Sequence, residues 1–208
     1  MIKIINTGVY GWEAAIRGMR NPMNSWDKSD SYYDNGRLIG GERDVRLMKT
    51  LANAGSDHGK FLRMITVTFD VTCHHAWWAE FDTYKVGTVR NSCSKMHKIH
   101  VKEFVKDDFS TEGIDECGGR TVEVFESVKD ELERLRNLFN ETQEKKYWRA
   151  IIELLPMGYN IRATIQLTYA VLRNMYHGRK HHKVFEWPVF CDWILTLPYA
   201  RELIVGEE

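Results

Sequence analysis

Phe61-Leu62-Arg63-Met64-Ile65-Thr66-Val67-Thr68-Phe69-Asp70-Val71 is the stretch on which the fold turns. Ile65, Val67, Phe69 and Val71 alternate with more polar neighbours, and the run is rich in β-branched and aromatic residues, so it predicts a strand. Working outward, Met1 to Tyr10 alternates loosely and reads as an opening strand. Ser25 to Gly41 is polar and glycine-rich and reads as a solvated loop. Glu42 to Ala54 sets Val45, Leu47, Met48 and Leu51 at near-helical spacing. Cys73 to Phe81 predicts a helix directly after the strand, and Asp82 to His100 is less regular.

The second half reads as helical. In Thr121 to Glu144 the residues Val124, Val128, Leu132, Leu135 and Phe139 recur every three or four positions, with a charged, solvated opposite face. Lys145 to Leu155 predicts a further helix stopped by Pro156, Ile161 to His177 another, and Val184 to Leu197 a last one closed by Pro198. A sheet-forming front half and a helical C-terminal half predict an α+β fold. No stretch reads as a flexible linker, so one domain over residues 1–208 is expected.

Composition narrows the function. The 208-residue chain is 43% hydrophobic, enough for a buried core. Lys and Arg number 29, as do Asp and Glu, so the chain has no wholesale basic surface and is not expected to bind nucleic acid. Zero net charge does little to oppose self-association. No apolar run approaches a membrane span, and the N-terminus is too quickly polar for a signal peptide, which predicts a cytoplasmic protein. Cys73, Cys93, Cys117 and Cys191 include no CxxC pair and read as four free thiols.

Three constellations have chemical potential. Cys73-His74-His75 with Glu80 and Asp82 are metal-ligand types, but their spacing matches no standard zinc pattern, and capping histidines at the strand end are the better reading. Tyr84 to His97 sets Lys85, Arg90 and Lys95 among hydroxyls and an amide, which suits a phosphate. Within it, Cys93 has the only basic company that would favour a thiolate. In His177-Gly178-Arg179-Lys180-His181-His182-Lys183 six of seven residues are cationic or become so at mildly acidic pH, either to complement a helix C-terminus or to hold an anion such as a nucleotide phosphate.

Leu154-Leu155-Pro156-Met157-Gly158-Tyr159-Asn160-Ile161-Arg162, a helix of sixteen residues, Arg179 and then Glu186 resemble the flavin-dependent thymidylate synthase (ThyX) family in order and spacing. Glu186 resembles the acid of that family's AQxEI stretch, and Val67 to Val71 the strand leading to its signature, RHRxxSxNExSxRY. The window for that signature is Tyr84 to His97. Asn91 and Ser94 fit it. Tyr84-Lys85-Val86 replace the RHR triplet, Ser92 the glutamate and His97 the tyrosine, and Ile152 stands where a phosphate-binding arginine is usual.

The resemblance implies a ThyX-like fold, an antiparallel or mixed sheet packed with long helices, and a homotetramer with active sites at subunit interfaces. It implies transfer of a one-carbon unit from methylenetetrahydrofolate to C5 of dUMP through reduced FAD, with NADPH reloading the flavin and no protein cysteine as nucleophile. It implies Arg179 as the catalytic arginine, Lys85, Arg90, Ser94 and Arg162 at the nucleotide, and Tyr84, Asn91, His97 and Glu186 at the cofactor. Tyr84, His97 and the Trp77-Trp78 pair are candidates to stack on flavin or base, with core packing expected for at least one tryptophan. The eroded signature keeps two alternatives open: a nucleotide-binding regulator or sponge without redox chemistry, and a pyrimidine hydroxymethylase.

Overall fold

The computed structural model describes residues 2–206, without the side chains of Lys95 and Met96. In chain order the elements are β1 (Lys3–Tyr10), α1 (Trp12–Arg20), β2 (Tyr32–Asp34), β3 (Arg37–Ile39), α2 (Glu42–Asn53), β4 (Thr66–His74), α3 (His75–Phe81), β5 (Val89–Ser92), α4 (Lys95–Lys98), α5 (Glu112–Cys117), α6 (Gly119–Thr142), α7 (Lys145–Leu154), β6 (Asn160–Thr168), α8 (Tyr169–Arg179) and α9 (Glu186–Ile194). The expected α+β class holds. One four-stranded sheet has the order β1-β4-β6-β5, and β2 pairs with β3 in a small antiparallel hairpin.

The stretch 161–177, expected as one helix, is a strand and then a helix. In β6, Ile161, Ala163, Ile165 and Leu167 are buried while Arg162, Thr164 and Gln166 are exposed, an uninterrupted period of two. The sheet therefore takes a strand from the half of the chain that reads as helical. Ile165 and Leu172 are seven apart, so they fit a helical face by coincidence. Three other differences are local. Asn35-Gly36 form a two-residue turn with φ of +47° and +76°, which folds part of the 25–41 loop into the β2–β3 hairpin. Trp12–Arg20 is an unforeseen helix. On α6 the buried side chains are Phe125, Leu132 and Leu135, whereas Val124 is half exposed.

The chain divides into two compact units. One comprises the first residues with Val71–Asp82 and Asn91–Ala163. Its core joins Ile99, Phe104, Phe109, Phe125, Leu132, Leu135 and Ile151. The outer face of α6 carries Glu131–Arg134 and Glu133–Arg136 pairs at 2.7 and 2.5 Å, and Glu133 also accepts the backbone N–H of Phe104 at 3.0 Å. In this unit Trp77 and Trp78 pack edge to face at 5.0 Å and are buried; the Trp78 indole donates to the carbonyls of Cys73 and Ile161. Both are core residues, which removes the pair as flavin-stacking candidates.

The other unit comprises Ile4–Asp70, Thr83–Arg90 and the chain from Thr164 onward. Tyr169, fully buried at the start of α8, packs edge to face on Trp12 at 5.4 Å and donates its hydroxyl to the Pro198 carbonyl at 2.7 Å. Asp70 on β4 accepts from Asn6 of β1 at 2.8 Å and from Thr164 of β6 at 2.6 Å, a polar tie across three strands. A buried carboxylate needs such partners.

Candidate functional site

Arg179 ends α8, and its fixed geometry comes from two rings of the same unit. Its Nε donates to the Tyr84 hydroxyl at 3.0 Å. Its guanidinium carbon lies 5.1 Å from the Trp187 ring centroid and 5.5 Å from that of Tyr84, within cation–π range of both. Trp187 is fully buried, so one wall of this clamp belongs to the core. Gly178 makes room for it, since a Cβ there would lie 3.1 Å from the Tyr84 hydroxyl. Glu186, 7% exposed, begins α9 next to Trp187, where a negative charge suits the helix N-terminus.

The rest of the cationic run does not converge on one point. His182 meets Trp187 edge to face at 6.3 Å and accepts the Val184 N–H at Nδ1. His177 bonds to the Ile204 carbonyl through Nε2, and Lys180 lies over the Tyr176 ring. His181 and Lys183 are exposed. His177 and Arg179 sit in the last turn of α8, where positive charge complements the dipole.

Tyr84 leads into a turn closed by the Thr88 N–H on the Lys85 carbonyl, with φ of +80° at Gly87. Lys85 is exposed and Arg90 half-buried. In this unit a cavity of about 700 Å³ is bounded by Gly55, Ser56, Arg63, Gly87, Thr168 and Arg173, among others. Arg173 holds the Leu203 carbonyl at 2.8 Å and Asn53 at 3.2 Å, and burial pulls its guanidinium below the usual arginine range. The neighbouring Thr88 hydroxyl is buried without a hydrogen-bond partner among the described residues. A roomy cavity with two arginines, glycine walls, a helix start and a nearby unsatisfied hydroxyl fits part of a phosphate-bearing cofactor. Neither arginine stood out in the sequence. Arg173 had one signal, a cation close to the apolar face of a helix.

Asn91, Ser94, His97 and Arg162 belong to the other unit. The Cys93 N–H donates to the Arg162 carbonyl at 3.0 Å, which joins the end of β5 to β6. Ser94 accepts the His97 N–H at 3.3 Å and so serves α4 as a local cap. Asn91, Ser94, His97 and Arg162 are exposed. The Lys95 side chain lies outside the described residues. All four cysteines are free thiols; Cys93 and Cys117 are exposed, and Cys73 and Cys191 buried. His74 caps α3, accepting the Trp77 N–H at Nδ1, and His75 stacks on Tyr159. Among the described residues no three His, Cys, Asp or Glu side chains group to hold a metal ion, and no helix is long and apolar enough to cross a membrane.

No protein-family model matches this sequence, and no curated protein matches it. Solved structures do. Thymidylate synthase X (ThyX) from Helicobacter pylori with FAD and dUMP superposes with a TM-score of 0.72 at 16% identity, covering 98% of this chain and 97% of that one. A second structure, flavin-dependent thymidylate synthase ThyX from Helicobacter pylori complexed with FAD and dUMP, gives 0.69 at 16% identity and 97% of each chain. At that identity the likeness shows the fold, so this chain has a ThyX-like α+β fold over nearly its whole length.

Proposed function

We propose that the chain is a divergent, cytoplasmic flavin-dependent thymidylate synthase: one ThyX-like domain over residues 1–208, assembled as a homotetramer with sites at the subunit interfaces. Its substrate is dUMP, methylated at C5 with methylenetetrahydrofolate as carbon donor and NADPH as reductant. The observation that carries the reading is Arg179 held between Tyr84 and Trp187 in a chain whose structural neighbours contain FAD and dUMP. When bound, FAD would supply the redox chemistry and the carrier for the one-carbon unit; Arg63, Arg173 and Thr88 would meet its phosphates, and Tyr84, Asn91, His97 and Glu186 would contact the rest of the cofactor.

The protein's own work is positioning and electrostatics. Arg179 presents a permanent charge, already oriented, to the pyrimidine carbonyl on which negative charge builds during attack at the ring. Its orientation is set before substrate arrives, so little reorganisation accompanies the reaction. Lys85, Arg90, Arg162 and Ser94 would bind the nucleotide phosphate. Lys85 would do so as a point charge rather than a bidentate fork.

One observation favours a second reading. Tyr84 stands where the resembling family has the first arginine of its triplet, and its hydroxyl is taken up by Arg179. That removes a charge and engages an arginine donor, as a nucleotide-binding regulator or sponge without turnover would tolerate. A pyrimidine hydroxymethylase would keep the flavin. The test is a visible spectrum of the purified protein after incubation with FAD, together with dUMP calorimetry. The synthase reading predicts retained yellow absorbance and dUMP binding that is lost in Arg179→Ala. A colourless protein that binds dUMP supports the regulator reading, and a protein that binds neither removes both.

A further inference from the structure

A second cavity, of about 340 Å³, lies between α1 and the 25–41 segment. Glu13, Ile16, Arg17 and Arg20 line it from a single face of α1, at the spacing i, i+3, i+4 and i+7. Trp26, Tyr33 and Leu38 face them from the loop and hairpin. Ile16 and Leu38 are buried and form an apolar floor. Trp26 and Tyr33 are 51% and 45% exposed, so two large rings stand half in water at the walls.

The walls are built in advance. The Trp26 indole donates to Asn21 at 2.8 Å. Ser29 donates through its hydroxyl, and Ser31 through its backbone N–H, to the buried Asp44 carboxylate at 2.8 and 2.9 Å. The same carboxylate pairs with Arg20 at 2.7 Å, so the Arg20 charge is already balanced. Two charges remain at the cavity, Glu13 and Arg17. They stand four apart with the acid N-terminal, the favoured arrangement for a helical ion pair. Glu42 and Arg46 have that arrangement on α2 and do pair, at 2.5 Å. Among the described residues Glu13 and Arg17 do not. Burial raises the pKa of the Tyr33 phenol above its ordinary value, and the Glu13 carboxylate raises it further.

We propose that this cavity binds a free α-amino acid with an aromatic side chain. The ligand's ammonium meets Glu13 and its carboxylate meets Arg17. Its ring enters over Ile16 and Leu38, flanked by Trp26 and Tyr33. One anion and one cation a helical turn apart select a zwitterion over a simple anion or cation. The volume lies at the low end of small-molecule sites, which suits an amino acid and excludes a dinucleotide. The site is separate from Arg179 and independent of the synthase reading.

The test is calorimetry with L-phenylalanine and L-tryptophan, against phenethylamine, which lacks the carboxylate, and 3-phenylpropionate, which lacks the ammonium. Glu13 and Arg17 are exposed, so Glu13→Gln and Arg17→Gln should leave the melting temperature unchanged. The expected result is binding of at least one amino acid, weakened about tenfold or more by either variant and by loss of either ligand charge. No heat from either amino acid up to about 10 mM, or binding unaffected by both variants, overturns the proposal.

Discussion

Replacing Asp44 by alanine attacks the hub on which residues 25–41 are hung. The side chain is fully buried and accepts from Arg20 Nε at 2.7 Å, the Ser29 hydroxyl at 2.8 Å, and the N–H groups of Asp30 and Ser31 at 3.0 and 2.9 Å. Burial pushes the carboxyl up, but hydrogen bonds from Ser31, Ser29, Arg20 and the Asp30 backbone outweigh it and hold the group at about 2, against an ordinary 3.8. At about 1.36 kcal/mol per pH unit, that difference stabilises the fold by about 2 kcal/mol. Because the folded value is depressed, the contribution is complete above the ordinary value of 3.8 and is lost as pH falls toward 2. Alanine also leaves Arg20 as a buried cation without its carboxylate, and removing one partner of such a pair typically costs about 3–5 kcal/mol in all, the carboxylate's share included. Urea unfolding measures both effects. Asp44→Ala should lose about 3–5 kcal/mol near pH 7, and its gap from the parent should narrow as pH falls below about 4. A loss under about 1 kcal/mol near neutrality, or a gap that stays constant with pH, would refute the reasoning.

Tyr84→Phe keeps the ring beside Arg179 and removes the oxygen that accepts its Nε hydrogen. It should weaken dUMP binding about tenfold in calorimetry with little change in melting temperature; unchanged affinity would mean that Trp187 alone positions the arginine. Gly11 has φ of +88°, and a Cβ there would lie 2.1 Å from the Met64 carbonyl oxygen. Gly11→Ala should therefore lower stability by at least about 1 kcal/mol in thermal unfolding, and a neutral result would show that the β1–α1 junction adjusts freely. Leu132→Ala opens a hole in the core beneath α6 and should cost about 2–5 kcal/mol by chemical denaturation; a loss below that range would show that the core closes over the gap.

Much of the fold was legible because one period dominated each stretch. β4 declares itself through uniform alternation and α6 through its helical spacing, although its buried face takes Phe125 rather than Val124. β6 was hidden because Ile161, Ile165 and Leu172 satisfy a helical stripe as well as their neighbours satisfy a strand, and only pairing within the sheet decides between them. The β2–β3 hairpin had its signal in Asn35-Gly36, which a general polar-loop reading passes over. At the candidate site, the resemblance singled out Arg179 by order and spacing, while its clamp had no sequence signal. Trp187 looked like one more apolar residue of α9, and Tyr84 lies 95 positions away from its partner. Arg63 gave no signal and Arg173 only its place close to the apolar face of a helix, since a cavity gathers side chains that the chain keeps apart. The cationic run shows the converse error, because neighbours in sequence such as His177 and Lys180 point to different partners.

Release of tritium from C5-labelled dUMP tests the central claim most directly, using purified protein supplied with FAD, NADPH and methylenetetrahydrofolate. The synthase account predicts release above the protein-free control that disappears in Arg179→Ala. Release no greater than that control, from protein shown by calorimetry to bind dUMP, would contradict it.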